Sequence, residues 1–258
     1  MIQSVVAIAR EAGRKMLEYH NAGIHQKEGH FNFVTDADVA VQAFLKQELT
    51  ALVPGSRFFA EEQENEPLTD APTFVVDPID GTINYMRGRS CSAVSVALLE
   101  GKKPVMGVVC NPFSGETFSA EAGKGAFLNG SPVRVSSVPF ENALVSIGTS
   151  PYDADLAEIS LRAALQFLLR AGDLRRTGSA AVDLCEIACG RADIFFEMRL
   201  RPWDYAAGSL IVTEAGGRFV SIGHEAPFYE GASGVLACNP LCAEAAARIL
   251  RDAGAGTP

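Results

Sequence analysis

Apolar and polar residues alternate along the first half of the chain with a helical and then a strand-like period. Apolar positions recur every three to four residues over 2–20 and 36–52, which predicts two amphipathic helices. Thr35, followed by acidic residues, is a suitable N-cap for the second helix. Asn129-Gly130 is a tight-turn sequence, predicted to close the last strand pair. Strands are predicted at residues 57–60, 73–76, 92–100, 105–110, 117–121 and 125–128. This half is therefore expected to hold two helices and a mostly antiparallel sheet.

After about residue 141 the pattern changes to alternating strands and helices. Strands are predicted at 143–147, 174–176, 192–197, 217–221 and 234–237, and helices at 153–171, 179–188, 205–215 and 241–252. No repeat or Pro/Ser-rich linker separates the two parts. The prediction is an α/β (α+β) fold with an N-terminal α+β half, 1–140, and a C-terminal α/β half, 141–258. Such halves share a long interface, where a ligand site is expected.

Composition narrows the class of protein. The chain has 258 residues, is 48% apolar and carries 31 acidic against 22 basic side chains, for a net charge of −9. It can therefore form a sizeable core, while its acidity disfavours binding to nucleic acid or anionic lipid. No apolar run approaches the roughly 20 residues of a membrane span, and no secretory signal is visible, so a cytoplasmic location is expected. The six cysteines are then interpreted as reduced, buried thiols rather than zinc ligands.

Acidic residues follow directly on predicted strands. Asp77 and Asp80 flank Pro78 at the end of one strand, and Glu61 ends another. Asp204 stands at the start of a predicted helix. Clustered carboxylates cannot all ionise without compensation, and a hard divalent cation such as Mg²⁺ is the usual compensation. The pattern predicts a metal site.

Gly81-Thr82 adds a second feature immediately after these acids. Glycine allows a close backbone approach to a ligand, and free N–H groups at the start of a helical turn favour phosphate. Thr82 supplies a hydroxyl that can orient water. A metal site beside a phosphate cradle indicates metal-assisted phosphoester hydrolysis.

These motifs resemble the inositol monophosphatase family of Mg²⁺-dependent, lithium-sensitive sugar phosphatases over nearly the whole chain. The most specific block is 77–84, Asp-Pro-Ile-Asp-Gly-Thr-Ile-Asn; the others are 203–208 with 214–217, 32–38, the pair 61–62 and 176–181. Ile83 and Tyr85 depart from the common pattern beside the first block, outside the ligand positions. The resemblance implies a layered αβαβα sandwich.

The resemblance also implies the metal ligands. Glu61, Asp77 and the carbonyl of Ile79 would hold one Mg²⁺, and Asp77, Asp80 and Asp204 a second. A third, weaker ion would use Glu61 and water, so about two to three Mg²⁺ are expected per subunit.

Implied catalytic and substrate roles fall on other residues of the same blocks. Thr82, hydrogen-bonded to Asp38, would position and activate the nucleophilic water, with Glu61 as the third catalytic residue. Gly81 and Thr82 amides would bind the phosphate. The remaining implied substrate contacts are Gly178, Ser179, Ala180, Glu197 and Asp204, with Lys27 near the metals and Glu62 able to exchange roles with Glu61.

The expected reaction is direct in-line attack of a metal-activated water on inositol monophosphate, which yields myo-inositol and phosphate. Relatives that hydrolyse fructose 1,6-bisphosphate, histidinol phosphate or 3′-phosphoadenosine phosphates remain alternatives, as does a non-catalytic interaction protein on the same fold. Glu197 favours a polyol. Arg175 and Arg176 could steer phosphate, but they are interpreted as a surface or interface pair. The resemblance implies a homodimer.

Overall fold

Two β-sheets form the frame of the molecule in a computed structural model that describes residues 1–19, 23–26, 33–151 and 153–256. The helices of these described parts are α1 Ile2–Glu18, α2 Asp36–Leu52, α3 Thr82–Met86, α4 Ala154–Arg170, α5 Ala180–Ala188, α6 Pro202–Glu214 and α7 Ala243–Asp252. The strands are β1 Ile24–Gln26, β2 Phe33–Thr35, β3 Arg57–Ala60, β4 Thr73–Asp80, β5 Ala93–Glu100, β6 Lys103–Asn111, β7 Glu116–Glu121, β8 Ala126–Leu128, β9 Ser131–Val133, β10 Leu144–Ile147, β11 Asp173–Arg175, β12 Ile194–Leu200, β13 Arg218–Ile222 and β14 Ser233–Cys238.

The larger sheet has seven strands in the order β3-β4-β5-β6-β7-β8-β9. All neighbours are antiparallel except β3 and β4, which confirms the mostly antiparallel first sheet. Asn129 and Gly130 both have positive φ, as a two-residue hairpin turn requires. The prediction that this turn closes the 117–128 pair was wrong, because it leads into β9 instead. Pro132 lowers the strand propensity of that segment and is tolerated because β9 is a short edge strand.

The smaller sheet has five strands in the order β11-β10-β12-β14-β13. β10 lies parallel to β11 and β12, whereas β14 is antiparallel to β12 and β13. Helices α4, α5 and α6 connect its strands, in agreement with the alternating pattern after residue 141.

Helices cover both faces of each sheet, so the fold is a five-layer αβαβα sandwich, as expected. α1 and α2 pack on the outer face of the larger sheet, α5 and α6 fill the space between the sheets, and α4 and α7 cover the outer face of the smaller sheet. Representative buried contacts come from Leu45 and Val96 in the first core, Leu184, Ala206 and Phe195 in the middle core, and Phe167 and Phe196 in the last.

The helices between the two sheets pack very closely against their neighbours. A Cβ on Gly107 of β6 would lie 2.6 Å from the carbonyl oxygen of Ala207, and one on Gly208 would lie 2.6 Å from the Leu184 side chain. α6 is consequently buried nearly all round, as its run of small and apolar residues predicts. Close packing holds the N-terminus of α6 against the larger sheet, which matters for Asp204.

Several element boundaries differ from the predicted ones. β4 runs on to Asp80, and α6 begins at Pro202 because proline suits the first turn of a helix. Residues 24–26 and 33–35, for which no strand is predicted, pair as an antiparallel ribbon. Within the described parts of the chain, every helix is too short or too polar to span a bilayer. All six cysteines are free thiols, four of them buried.

Candidate active site

The end of β4 brings two aspartates to one side of the sheet. Side chains normally alternate across a strand, so residues 77 and 80 of a regular strand would face opposite ways. Here Asp77 pairs with Ser95 and Asp80 with Ala93, so three steps along β4 match two along β5. This bulge re-aims Asp80 toward Asp77, and Pro78 lies within it, where no ladder N–H is needed.

The third aspartate comes from the N-terminus of α6. The Arg201 N–H donates to Asp204 Oδ2 at 2.6 Å, which orients the carboxylate as a cap of its own helix. Ser95 donates to the carbonyl of Trp203 at 3.2 Å and ties this helix start to β5. Trp203 also packs its ring 5.6 Å from that of Phe59, which lies in β3 of the larger sheet.

Asp77, Asp80 and Asp204, which we call the carboxylate cluster, offer oxygens that all lie within 4.8 Å of one another. Burial raises the pKa of Asp77 and Asp204 well above the usual range, and the neighbouring carboxylates raise both further. The pKa of Asp80 rises only to about 6, because Ser179 and two amides of α5 oppose the effect of burial. Buried, mutually repelling oxygen donors fit a hard divalent cation, which would neutralise them.

Glu61 lies at the edge of this cluster, directly after β3. It lines the same cleft, and its charge contributes to the raised pKa of Asp77 and of Asp204. Glu62 is oriented differently. Its backbone N–H donates to Gln42 Oε1 and its carbonyl accepts from Gln42 Nε2, both at 2.9 Å, which fixes that residue against α2.

The hydroxyl of Thr82 is held beside the cluster by Asp38 and Ile79. Asp38 is fully buried, and its Oδ2 accepts from the amide of Thr35 at 2.7 Å and from its hydroxyl at 2.5 Å. Together with Asp38 N–H donating to Thr35, this forms a capping box and confirms the predicted N-cap of α2. Asp38 Oδ1 lies 3.4 Å from the Thr82 hydroxyl, which is also 3.1 Å from the carbonyl of Ile79.

Glycines allow the two halves of the molecule to meet at this point. Gly81 has φ +86°, and a Cβ there would lie 3.0 Å from the carbonyl oxygen of Cys91 and 3.1 Å from that of Gly178. Gly178 has φ +91°, and a Cβ on it would lie 2.5 Å from the Arg176 guanidinium. Both positions favour glycine for conformation and for space.

Glu197 occupies the part of the cleft formed by β12. Its Oε1 accepts the amide of Ser150 at 3.1 Å, and burial raises the pKa of its carboxyl to about 7. A Cβ on Gly148 would lie 2.1 Å from the carboxylate, so this glycine makes the space that Glu197 fills.

One cleft of about 780 Å³ brings most of the predicted site residues together. The predicted residues that line it are Glu61, Asp77, Ile79, Asp80, Gly81, Thr82, Gly178, Ser179, Ala180, Glu197 and Asp204. Asp38 reaches it through Thr82. Lys27 lies outside the described residues. The Ser179 hydroxyl, expected at the sugar pocket, donates to Asp80.

Sequence reasoning missed several residues of the cleft. Arg175 pairs with Asp173, as a surface residue would, but Arg176 lines the cleft and opposes the rise in the Glu197 pKa. Asp183 also lines it and is buried. A charged residue in the otherwise apolar run of α5 was the available signal for Asp183. For Arg176 the available signal was its place at the start of the block 176–181, but adjacent arginines look alike until the chain turns between them.

Comparison with known proteins identifies relatives along the whole chain. The chain matches the sequence model of the inositol monophosphatase family over residues 1–255. Inositol monophosphatase 2 of Solanum lycopersicum is 39% identical over 230 residues, which cover 84% of this chain and 86% of that protein. Nus factor SuhB of Xylella fastidiosa is 36% identical over 223 residues, which cover 84% of this chain and 80% of that protein.

Solved structures agree with the sequence comparison. The extragenic suppressor protein suhB from Bartonella henselae superimposes with a TM-score of 0.88 at 32% identity, over 96% of this chain and 97% of that one. An IMPase from Thermotoga maritima superimposes with a TM-score of 0.87 at 28% identity, over 96% of each chain. The five-layer sandwich is therefore the fold of these proteins.

Proposed function

This chain belongs to the inositol monophosphatase family, and from that premise we propose that it is a Mg²⁺-dependent phosphomonoesterase that hydrolyses inositol monophosphate. One observation carries the proposal. The carboxylate cluster, the Thr82–Asp38 pair and the Glu197 carboxyl all border one cleft. That arrangement supplies oxygen ligands for a cation, a hydroxyl for water and an acceptor for a substrate hydroxyl.

The proposed metal ligands are Glu61, Asp77, Asp80, Asp204 and the carbonyl of Ile79. When bound, a divalent cation supplies positive charge that polarises the phosphoryl group and acidifies water. The protein holds four carboxylates together at neutral pH. The raised pKa values of Asp77 and Asp204 mean that ionisation of these groups is unfavourable without a cation.

Thr82 and Asp38 are the proposed pair that orients the attacking water. Asp38 is held by Thr35 and keeps Oδ1 facing Thr82. The Thr82 hydroxyl donates its one proton to Asp38 or to the carbonyl of Ile79, so its lone pairs can accept a hydrogen bond from the attacking water. Such positioning of a nucleophile is an effective contribution to catalysis because it removes the entropy of finding the attack geometry.

The direct test is phosphate release from four candidate substrates with and without Mg²⁺. We expect inositol 1-phosphate to be preferred over fructose 1,6-bisphosphate, histidinol phosphate and 3′-phosphoadenosine 5′-phosphate. A higher kcat/KM for one of the other three would correct the substrate and keep the reaction class. If no phosphate is released from any of the four with Mg²⁺ present, the proposal is contradicted and a non-catalytic interaction protein is favoured.

Glu197→Gln is expected to raise KM for inositol 1-phosphate about tenfold, because a hydrogen bond to a charged acceptor contributes roughly 1.5–3 kcal/mol. With a Glu197 pKa of about 7, the carboxylate that accepts the substrate hydroxyl forms as pH rises. The wild-type KM should therefore fall between pH 6 and pH 8, and the variant should lose this dependence. p-Nitrophenyl phosphate, which has no polyol hydroxyl, is the control substrate, and an equal rise in its KM would refute the assigned contact.

A further inference from the structure

Asp183 is a buried acid for which the proposed function has no use. It lies on α5 and is 2% exposed, with buried apolar residues on the same helix and the polar cleft beside it. Its Oδ2 accepts the Thr177 hydroxyl at 2.7 Å. Its Oδ1 is buried and accepts no hydrogen bond of ordinary geometry from the residues that the structure describes, although the Ser146 side chain, like Thr177, opposes the rise in the Asp183 pKa. A buried carboxyl group with an unsatisfied oxygen lowers the free energy of unfolding, so Asp183 is expected to have a role that offsets this loss.

Thr177 links Asp183 to the backbone of the residues that follow it, through hydrogen bonds of its side chain. A threonine hydroxyl has one proton, and here Asp183 accepts it. The lone pairs of that hydroxyl are left to accept the amide of Ser179 at 3.3 Å. The carbonyl of Thr177 is held from the other side, by Asn84 Nδ2 at 2.9 Å. The segment 177–179 is thus fixed from α3 and from α5.

Ser179 connects this segment to the carboxylate cluster by hydrogen bonds. Its hydroxyl donates to Asp80 Oδ2 and accepts the amide of Val182 at 3.3 Å, while Ala181 N–H donates to the same Oδ2 at 2.8 Å. The Ser179 hydroxyl and the Ala181 amide therefore both donate to Oδ2, which fixes how the Asp80 carboxylate is turned toward the rest of the cluster. Asp80 belongs to the larger sheet, whereas Ser179 precedes α5, so these bonds cross between the halves of the fold.

We propose that Asp183 is a positioning residue for the carboxylate cluster, which orients Asp80 through Thr177 and Ser179 and so sets the affinity for the divalent cation. The inference rests on the proposed function, because it assumes that Asp80 is a metal ligand. What Asp183 must supply is a hydrogen-bond acceptor for Thr177, and an asparagine carbonyl oxygen supplies one as well. Charge at position 183 is not needed for this role.

Titration of the metal-free protein with Mn²⁺ measures the affinity for a divalent cation without any turnover. Binding is followed by the loss of the electron paramagnetic resonance signal of free Mn²⁺. Asp183→Leu keeps the branched shape of the side chain, although it is bulkier, and removes the acceptor, and it should weaken Mn²⁺ binding about tenfold, as losses of the partners of metal ligands do. Asp183→Asn should stay within about twofold of wild type. Thr177→Val should match Asp183→Leu, and the double variant should be no weaker than either, because both break one chain of bonds.

Thr73→Val is the matched control for Thr177→Val. Thr73 is buried at the opposite end of β4, and its hydroxyl donates to the carbonyl of Ala71 at 2.9 Å. That variant loses a comparable hydrogen bond and should bind Mn²⁺ like wild type. If Asp183→Leu does not fold, Thr177→Val decides the question alone.

The outcomes separate this inference from the proposed function. Tight binding by wild type that is lost in Asp80→Asn supports the metal site. Given that result, an unchanged Mn²⁺ constant in Asp183→Leu or Thr177→Val overturns the role of Asp183 alone. Failure of the wild-type protein to bind Mn²⁺ overturns the metal site and this inference together.

Discussion

Replacement of Asp80 by asparagine is expected to lower kcat about a thousandfold or more, because a catalytic metal ion contributes several kcal/mol of transition-state stabilisation. Asparagine has the same shape as aspartate and still offers an oxygen to Ser179 and the α5 amides. What it lacks is the negative charge that holds the cation. The loss should therefore appear in turnover and metal affinity, not in the fold.

The stability of the same variant gives an independent check. Asp77, Asp80 and Asp204 repel one another when no cation is present, and their ionisation is opposed by burial. Removing one charge relieves that repulsion, so the metal-free Asp80→Asn protein should unfold at an equal or higher temperature than metal-free wild type. Asp155→Asn, an exposed change in the first turn of α4, is the control. Near-wild-type turnover of Asp80→Asn with Mg²⁺ would refute the assignment of this ligand.

Mg²⁺ is expected to raise the melting temperature of the metal-free protein by roughly 5–10 °C at pH 8, and by much less at pH 5. At a concentration about a hundred times its Kd, a ligand adds about 2.7 kcal/mol to the free energy of unfolding. At pH 5 protons occupy the carboxylates and compete with the cation. The measurement is differential scanning fluorimetry with and without Mg²⁺ at each pH.

The pH dependence has a definite sign. Raised pKa values mean that the folded protein holds protons that the unfolded chain has released, so the free energy of unfolding falls as pH rises through this range. The range runs from the ordinary value of about 3.8 to about 6 for Asp80 and to about 7 for Asp183, and from about 4.5 to about 7 for Glu197.

Bound Mg²⁺ takes the place of those protons, so the loaded protein should show a flatter pH profile than the metal-free one. Each comparison is made at one pH, so the titration of groups outside the cluster cancels. NaCl at matched ionic strength controls for screening. A Mg²⁺ shift of the same size at pH 5 and pH 8 would show that these carboxylates do not bind the ion.

Local sequence determined the elements and the chemistry of this protein. Thr35 and the acids after it mark the start of α2, because a capping box involves only neighbouring residues. The apolar runs identified most strands, since a buried strand has to be apolar on the faces that it buries. The block 77–84 indicated carboxylates beside a phosphate cradle before any distance was known, because the ligands of a hard cation must be oxygens.

Tertiary structure alone decided how these parts meet. The bulge at Pro78 and the close packing of α6 over Gly107 bring Asp77, Asp80 and Asp204 within 4.8 Å, although Asp204 is far away in the chain. The positions of Arg176 and Asp183 in the cleft depend on which way their side chains point on either side of the turn at 177–179. Sequence patterns report the burial of single residues, whereas distances across two sheets follow from how all the layers pack at once.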